Sequence, residues 1–397
     1  MKNQPHIALE ITSKSVRIAV GNEVNGKIYI LDLIEKDCNG IQNGFIVDNG
    51  IVVNTIKSIL NQIQNNLSLK INEVTLVVPP FNLSCMIDSQ SFVTASSDGL
   101  IENNDIRNII TMMKKKVLGD ADLKIIDAVP DKYIINGNEV FSYAPLGKRS
   151  EQITISAFLY AISEKMLRQY TTCVENAGLV VKYLVVAPYA ESLYLSTLDN
   201  IPTNYILLDV GHSITTVSYV INNKSILSSR MINFGGHNIT KHIMETLNIT
   251  YQDAEMLKCK YGIDNDPLIP IKIKDDITFD DLSKAIMSSF DDYFDKISKI
   301  VKLFNIPNSL NVPMVVTGGG AHLTKFNSVL SEELNIDIIE YSSNTLGARE
   351  KSNITLLGAI KYSAIQPTVD QEEQVISTIT RVGNRINLKK DDLDDEL

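Results

Sequence analysis

The chain has 397 residues, of which 44% are hydrophobic and 21% charged, and its formal net charge is −10 at pH 7. That length favours two domains over one simple core, and the acidic balance without a Lys/Arg-dominated face argues against a nucleic-acid-binding protein. The four widely spaced cysteines form no CxxC pair, which indicates free thiols. With no signal peptide and no apolar run of about 18 residues, a cytoplasmic protein is expected.

The chain starts with an apolar strand that ends in an acidic residue. In residues 7–20, IALEITSKSVRIAV, the strand ends at Glu10 and a Thr-Ser-Lys-Ser turn follows. A second strand then alternates through Val16, Ile18 and Val20, as in a half-buried sheet. This strand–acid–turn–strand pattern occurs again in the middle of the chain.

Helices and strands alternate after this hairpin. The spacing of apolar residues predicts a helix over residues 49–67 and a short buried strand over 74–78. Between residues 83 and 161 the pattern changes to strands around an Asn/Asp-led helix at 104–117, which predicts a small inserted module. The elements predicted next are a helix at 163–177, a strand at 180–186 and a helix at 188–198.

Residues 205–220, YILLDVGHSITTVSYV, form the second hairpin. An apolar strand ends at Asp209 and Gly211, and a β-branched strand follows. A carboxylate in such a turn can hold Mg²⁺ through water, and a glycine lets backbone amides approach phosphate oxygens. Taken alone, the stretch could be an ordinary hairpin. Its repetition suggests two related domains that face each other with phosphates between them.

Glycine-rich turns and helices dominate the second half of the chain. A strand at 226–232 ends at Gly235 and Gly236, and residues 279–304 predict one long amphipathic helix. Residues 366–397 are polar and are expected to form a linker and a tail. The other predicted elements are helices at 238–247, 251–260, 323–334 and 353–363 and strands at 312–317 and 336–340.

Residues 317–323, TGGGAHL, follow a predicted buried strand and are expected to open a helix. Three glycines do not strengthen a strand, since each costs roughly 0.5–1 kcal/mol relative to alanine. They permit close approach of the backbone to a ligand, and a helix N-terminus favours negative charge; a tight strand–helix turn is the alternative. The spacing is not that of the Rossmann fingerprint.

Taken in order, these motifs resemble the actin-like ATPase superfamily and, within it, the FtsA family of bacterial cell-division proteins, over about residues 5–363. IALEITSKSV resembles the family's first phosphate motif, ALDIGTSKI, and LLDVGHSITTV the second, DIGGGTMDI. VVTGGGAHL resembles the adenosine motif. NFGGHNITKHI…DAEMLKCKYG is similar to GGxxIT…EAExIKxxYG, and IIDAVPDKYIINGNEV…PLG resembles the inserted subdomain called 1C.

The resemblance implies an α/β fold with two actin-like (ribonuclease-H-like) domains around a nucleotide cleft and a small inserted 1C-type subdomain. The expected segments are domain 1 at 1–82, 162–202 and 343–363, the inserted subdomain at 83–161, domain 2 at 203–342 with its outer subdomain at 236–311, and a linker and tail at 364–397.

The implied cofactors are ATP and Mg²⁺. Asp209 would hold the metal through water, and so would Glu10. Glu255 and Lys258 would lie beside ribose and adenine; a surface ion pair of little energy is the alternative for these two. The residues expected around the nucleotide are Ser13, Lys14, Asp209, Gly211, His212, Gly235, Gly236, Glu255, Lys258, Gly318, Gly319 and Gly320.

Several positions depart from the family's motifs. Ala187 falls roughly where relatives have a Gln or Glu that orients water, and without such a group hydrolysis of the γ-phosphate loses its main protein contribution. We therefore expect ATP binding with weak or no turnover, and no catalytic residue is assigned. His212 is either a phosphate ligand or a plain turn histidine. Among the other departures, Glu10 replaces Asp and Thr216 replaces the second acid. Thr12 and Ser213, like His212, stand at glycine positions of the motifs.

The resemblance also implies a scaffold that polymerises through the inserted module and links FtsZ filaments to the cytoplasmic membrane at the division site. The FtsZ C-terminal peptide would bind the outer subdomain, although a solvated helix face is the alternative for its lysines. Residues 375–390 are amphipathic and favour membrane contact, which Gly383 and the terminal acids oppose; a docking tail or disorder is the alternative. The candidate peptide contacts are Lys284, Ser289, Lys296 and Lys299.

Two other functions remain open. A sugar-kinase-like phosphotransferase shares both phosphate hairpins, but no convincing catalytic base is evident in the sequence. An MreB- or PilM-type scaffold is the second alternative, although MreB lacks a 1C-like module.

Overall fold

The structure is a computed structural model that describes residues 5–96, 98–263, 272–274, 276–307 and 309–366. The strands are β1 His6–Ile11, β2 Ser15–Val24, β3 Lys27–Asp37, β4 Ile41–Gln42, β5 Phe45–Ile46, β6 Glu73–Val78, β7 Ser84–Val93, β8 Leu123–Ile135, β9 Glu139–Phe141, β10 Gln152–Ser163, β11 Val180–Val186, β12 Tyr205–Val210, β13 Thr215–Ile221, β14 Ser225–Ile232, β15 Lys272–Lys274, β16 Ile277–Thr278, β17 Met314–Thr317 and β18 Ile338–Ile339. The helices are α1 Asn49–Leu67, α2 Asn103–Lys114, α3 Glu164–Asn176, α4 Ala187–Leu195, α5 Gly236–Leu247, α6 Tyr251–Tyr261, α7 Phe279–Ser288, α8 Asp291–Leu303, α9 Phe326–Leu334 and α10 Ile354–Ile365.

Two five-stranded sheets have the same topology. In the first, with order β11-β6-β1-β2-β3, an antiparallel meander β1-β2-β3 is extended by the parallel strands β6 and β11. In the second, with order β14-β13-β12-β17-β18, the meander β12-β13-β14 is extended by the parallel strands β17 and β18. The repeated hairpin of the sequence is therefore the centre of a repeated α/β unit, and the predicted fold class is confirmed.

A four-stranded antiparallel sheet, β7-β10-β8-β9, is inserted in the chain of the first unit, between β6 and β11. Helix α2 packs on it, and the two share a separate hydrophobic core that includes Ile109, Ile153 and Ile155. Residues Leu123–Ile135 form the single long strand β8, although Pro130 lies within it. Its register with β10 shifts between Pro130 and Lys132, where proline has no N–H to donate to the ladder.

The predicted long helix over residues 279–304 is wrong, because the structure has two helices, α7 and α8. The chain leaves the α-helical pattern at Ser289 and Phe290, whose amides donate to carbonyls three residues back. The Ser288 and Ser289 hydroxyls donate to the Ala285 and Ile286 carbonyls, a local bond that competes with helix continuation.

The glycine run also differs from its prediction. It leads from β17 into a single 3₁₀ turn, Gly319–His322, and α9 begins only at Phe326. The expected α-helix N-terminus is therefore not directly at the glycines. A second short 3₁₀ turn, Lys351–Asn353, precedes α10.

Helix α4 joins the two repeated units, and every residue from Pro188 to Leu195 is buried. It packs closely on α10, since a Cβ at Gly358 would lie 1.7 Å from the Ala190 carbonyl oxygen. The core around the first sheet also contains Tyr205 and Leu207 of the second. Residues of both units thus contribute to the core around the first sheet.

The expectation of free thiols is confirmed, since Cys38, Cys85, Cys173 and Cys259 all lack a disulfide partner. Among the described residues, no helix combines the length and apolarity that a bilayer span requires.

Candidate functional site

A cavity of about 400 Å³ lies where the turns of the two repeated hairpins face each other. This volume is within the range of small-molecule sites. Most of the predicted nucleotide residues line it, from both units of the fold. They are Ser13, Lys14, Asp209, Gly211, His212, Gly236, Glu255, Lys258, Gly318, Gly319 and Gly320.

The first turn, between β1 and β2, is closed by hydrogen bonds of the Thr12 side chain. The Thr12 Oγ1 atom accepts hydrogen bonds from the Ser15 amide at 2.9 Å and the Lys14 amide at 3.2 Å, and it donates to the Ser15 carbonyl at 3.0 Å. The Ser15 hydroxyl donates to Glu35 at 2.5 Å. A glycine at position 12, as in the family motif, would leave both amides free.

The second turn, between β12 and β13, contacts both the first turn and helix α5. The Ser213 amide donates to the Ser13 hydroxyl at 3.2 Å, which joins the two units across the cleft. The amides of Gly236 and His237, in the first turn of α5, donate to the carbonyls of Gly211 and His212 at 3.0 and 2.7 Å. The α5 N-terminus is therefore committed to this turn.

Gly235 does not line the cavity, unlike its neighbour Gly236. A Cβ at Gly235 would lie 2.5 Å from the Gly211 carbonyl oxygen and 2.6 Å from that of His212. The glycine is needed because α5 packs directly on the second turn.

His212 lies on the cavity wall with its ring 5.3 Å from that of His237, which in turn meets the Tyr251 hydroxyl at 2.8 Å. Burial, assisted by the neighbouring His237 and Lys14, lowers the pKa of His212 to about 4. The imidazole is therefore neutral at pH 7 and adds no positive charge to the cavity.

Asp209 is the penultimate residue of β12 and lines the cavity. Burial, together with the nearby Glu10, raises the pKa of Asp209 to about 7, although Arg17 acts in the opposite direction. Within the described residues, the Asp209 carboxylate forms no ion pair. It is therefore available to a ligand-bound cation.

Glu10 ends the equivalent strand β1 but has a partner that the sequence reasoning missed. Arg17 Nη2 lies 2.5 Å from Glu10 Oε2, both side chains are largely buried, and Arg17 Nη1 donates to the Ser352 carbonyl at 2.7 Å. The signal was the single basic residue of β2, which lies opposite Glu10 in the hairpin register.

These contacts decide which carboxylate suits Mg²⁺. The predicted second metal residue, Glu10, is committed to Arg17, whereas Asp209 is free. No group of three or more His, Cys, Asp or Glu side chains suited to a metal occurs in the described part of the chain. Asp209 alone still fits Mg²⁺, since this ion is often held by one carboxylate with waters and substrate phosphates.

Glu255 and Lys258 form an ion pair of 2.7 Å on the opposite wall of the cavity. Lys258 is only 9% exposed and also donates to the Gly236 carbonyl at 2.9 Å and the Thr240 hydroxyl at 2.7 Å. Burial raises the pKa of Glu255, but the bonds from Lys258 and Thr240 outweigh it, and the pKa lies below its ordinary value. The pair thus joins α5 to α6 and is not a loose surface contact.

The three glycines after β17 have different surroundings. Gly318 has φ = +83°, and a Cβ there would lie 2.3 Å from Asp209 Oδ1. A Cβ at Gly320 would lie 2.3 Å from a Val210 side-chain carbon, whereas one at Gly319 would have no heavy atom within 4 Å. Packing requires Gly318 and Gly320, but Gly319 faces open space.

Glu191 is an acid that the sequence reasoning missed. It lies one helical turn after the cavity-lining Ala187, is 1% exposed, and accepts a hydrogen bond from the Thr355 hydroxyl at 3.0 Å. Burial and the proximity of Asp209 raise its pKa well above the ordinary value. Since Glu191 does not line the cavity, it does not replace the water-orienting residue missing at Ala187.

The predicted peptide contacts are only partly brought together. Ser289 and Lys296 line a second cavity of about 460 Å³ between α5 and the α7–α8 junction, with Asp291 and Asp292 on the same wall. Two of the predicted lysines lie elsewhere and pair within their own helices. They are Lys284, 2.7 Å from Asp280, and Lys299, 2.7 Å from Asp295.

A family model described as "Cell division protein FtsA" matches residues 206–358. The cell division protein FtsA of Enterococcus hirae is 24% identical over 392 residues, covering 95% of this chain and 87% of that protein. FtsA of Bacillus subtilis (strain 168) is 22% identical over 373 residues, covering 91% and 84%. The resemblance to FtsA is confirmed. The similarity to these two proteins extends beyond residues 206–358, which the family model matches, to most of the chain.

Solved structures show the same fold at low identity. A type IV pilus PilM–PilN complex chain has a TM-score of 0.61 and 15% identity, covering 91% of this chain and 99% of that one. MreB5 of Spiroplasma citri, solved bound to ADP, has a TM-score of 0.54 and 14% identity, covering 91% and 97%. The FtsA-like chain therefore has the actin-like fold of these proteins.

Proposed function

We propose that this chain is an FtsA-type cell-division scaffold that binds an adenine nucleotide in the cleft between its two units. The observation that carries this proposal is the cavity between the two hairpin turns, lined from both units in a chain similar to FtsA over most of its length. The units and the inserted sheet would correspond to the domains expected from the sequence.

In this assignment the two turns hold the phosphate end of the nucleotide and the α6 wall holds the nucleoside. Ser13 and Lys14 would meet phosphate oxygens, and Glu255 would accept from the ribose hydroxyls. The open space at Gly319 would take the adenosine. Mg²⁺, when bound through water to Asp209, would neutralise phosphate charge.

The residues around the phosphates support binding better than hydrolysis. Ala187 has no group that could orient an attacking water, and Glu191 lies behind the cavity wall. His212 is neutral at pH 7, so it does not stabilise developing charge. We expect phosphate release to be very slow, and a multiple-turnover assay with Mg·ATP measures it directly.

We also propose that the chain self-associates and links FtsZ to the membrane. Strand β7 is at the edge of the inserted sheet and exposes Ile87 and Val93, the kind of edge that pairs with another chain. The membrane contact expected at 375–390 lies outside the described residues.

The FtsZ C-terminal peptide would bind in the second cavity, at Ser289 and Lys296. Lys296→Ala should weaken binding of a labelled peptide about three- to tenfold, because Lys296 is the cationic side chain on the cavity wall. Lys299→Ala is the matched control: it is on the same helix but outside the cavity, paired with Asp295. Fluorescence anisotropy measures both variants.

The scaffold proposal fails if the unmodified chain binds neither the FtsZ peptide nor FtsZ filaments in co-sedimentation. Equal weakening by Lys296→Ala and Lys299→Ala would argue against the second cavity, since it would indicate a general charge effect.

A further inference from the structure

At the end of the cavity where the two turns meet, several backbone amides already donate hydrogen bonds to the protein itself. Backbone amides of such turns are the donors that bind phosphate oxygens. Here the amides of Lys14 and Ser15 donate to Thr12 Oγ1 at 3.2 and 2.9 Å. The Thr12 amide donates to the Ser15 carbonyl at 2.9 Å. The first turn therefore has few free donors for a ligand.

Two amides of the second turn are committed in the same way. The Gly211 amide donates to the Ile214 carbonyl at 2.9 Å, and the Ser213 amide donates to Ser13 Oγ at 3.2 Å. The Ser13–Ser213 bond closes the gap between the turns, so an anionic oxygen can take the Ser213 amide only after this bond breaks.

The charges at this end also oppose an additional phosphate. Three carboxylates, Glu10, Glu35 and Asp209, line the cavity near the turns. The buried Arg17 is paired with one of them, and the Lys14 side chain is half exposed beside Asp37. The cavity walls at Lys258 and Gly319 take no part in the hydrogen bonds of Thr12 or in the Ser13–Ser213 bond.

We propose that the hydrogen-bonded pair of turns makes this site prefer a nucleoside diphosphate to a triphosphate, with Thr12 as a specificity-determining residue. This proposal rests on the proposed nucleotide-binding function. A third phosphate gains amide donors only if Thr12 releases them and the two turns separate. A diphosphate does not require that rearrangement.

The test compares Thr12→Val, which removes the hydroxyl at nearly constant shape, with Thr12→Ser, which keeps it. Affinities of the full chain for ADP and ATP are measured by isothermal titration calorimetry in one Mg²⁺-containing buffer. We expect the unmodified chain to bind ADP at least as tightly as ATP. Thr12→Val should shift the ratio of the ADP and ATP affinities about tenfold in favour of ATP, because two amides become free. Thr12→Ser should leave this ratio unchanged.

The proposal is overturned if the unmodified chain binds ATP tenfold more tightly than ADP, or if Thr12→Val and Thr12→Ser give the same ratio. If neither nucleotide binds, the nucleotide-binding function itself fails and the preference fails with it. If Thr12→Val does not fold, Ser13→Ala is the test variant, because it frees the Ser213 amide and should shift the affinity ratio toward ATP. Ser13→Thr keeps the hydroxyl and is the control.

Discussion

Glu10 and Asp209 end equivalent strands, yet the protein gives them different surroundings. Glu10 is neutralised by Arg17 at 2.5 Å, so its charge is already balanced inside the protein. Asp209 has no such partner in the part of the chain that the structure describes, and burial raises its pKa to about 7. A buried carboxylate without an ion pair is costly unless a ligand or a cation compensates it. At the scale of residues, the two equivalent acids are thus asymmetric, and Asp209 is the one of the two that can meet a ligand-bound cation.

The glycines beside Asp209 give a matched pair of substitutions. Gly319→Ala should leave stability unchanged, because a Cβ there meets no atom within 4 Å, but it should weaken nucleotide binding about tenfold or more by occupying ligand space. Gly318→Ala should destabilise the fold by about 2 kcal/mol or more, because φ is +83° and the Cβ meets Asp209 Oδ1. Denaturant unfolding and nucleotide titration measure both effects.

The assignment of Gly319 to the ligand is contradicted if Gly319→Ala binds nucleotide as tightly as the unmodified chain. A loss of stability in that variant as large as in Gly318→Ala would contradict the packing argument.

At the scale of elements, a few polar contacts hold helices α5 and α6 together at the wall where we propose that the nucleoside binds. Lys258 reaches the Gly236 carbonyl, the Thr240 hydroxyl and Glu255 from a nearly buried position. The N-terminus of α5 is in turn bonded to the second turn at Gly211. Lys258 therefore has a structural role in addition to any contact with a ligand.

Lys258→Met should lower the free energy of unfolding by about 2 kcal/mol, because it leaves Glu255 without its cation and removes three hydrogen bonds. Lys241→Met on α5 is the control, since its contact with Glu245 at 3.8 Å is exposed and surface pairs contribute little. Urea unfolding followed by circular dichroism measures both. Equal stability losses in the two variants would show that Lys258 is only another surface charge.

At the scale of the whole molecule, the repeated topology was predictable and many contacts between the repeats were not. Each hairpin is local in sequence, so the acid, the turn and the alternating strand predict it directly. The Arg17–Glu10 ion pair is compatible with the register of the first hairpin. The sequence predicts it only as a possibility, because a strand pattern does not say which face of the sheet is buried. The Ser213–Ser13 bond joins residues 200 positions apart, which no local pattern contains.

The break between α7 and α8 shows the same limit for helices. Apolar periodicity continues through Ser289 and Phe290, so it predicts one helix, whereas serine hydroxyls and core packing of Phe290 end the first and start the second. The glycine run at 318–320 signalled close approach correctly, but only the structure separates Gly319 from the two glycines that packing requires.

The central claim is that the cleft between the repeated units is a nucleotide site. A crystal structure of the full chain grown with saturating ADP and Mg²⁺ tests it most directly. We predict ADP with its phosphates directed toward the two turns while the Ser13–Ser213 hydrogen bond stays intact, its ribose beside Glu255 and its adenosine against Gly319. An empty cleft at saturating nucleotide, or a nucleotide bound elsewhere on the molecule, would contradict it.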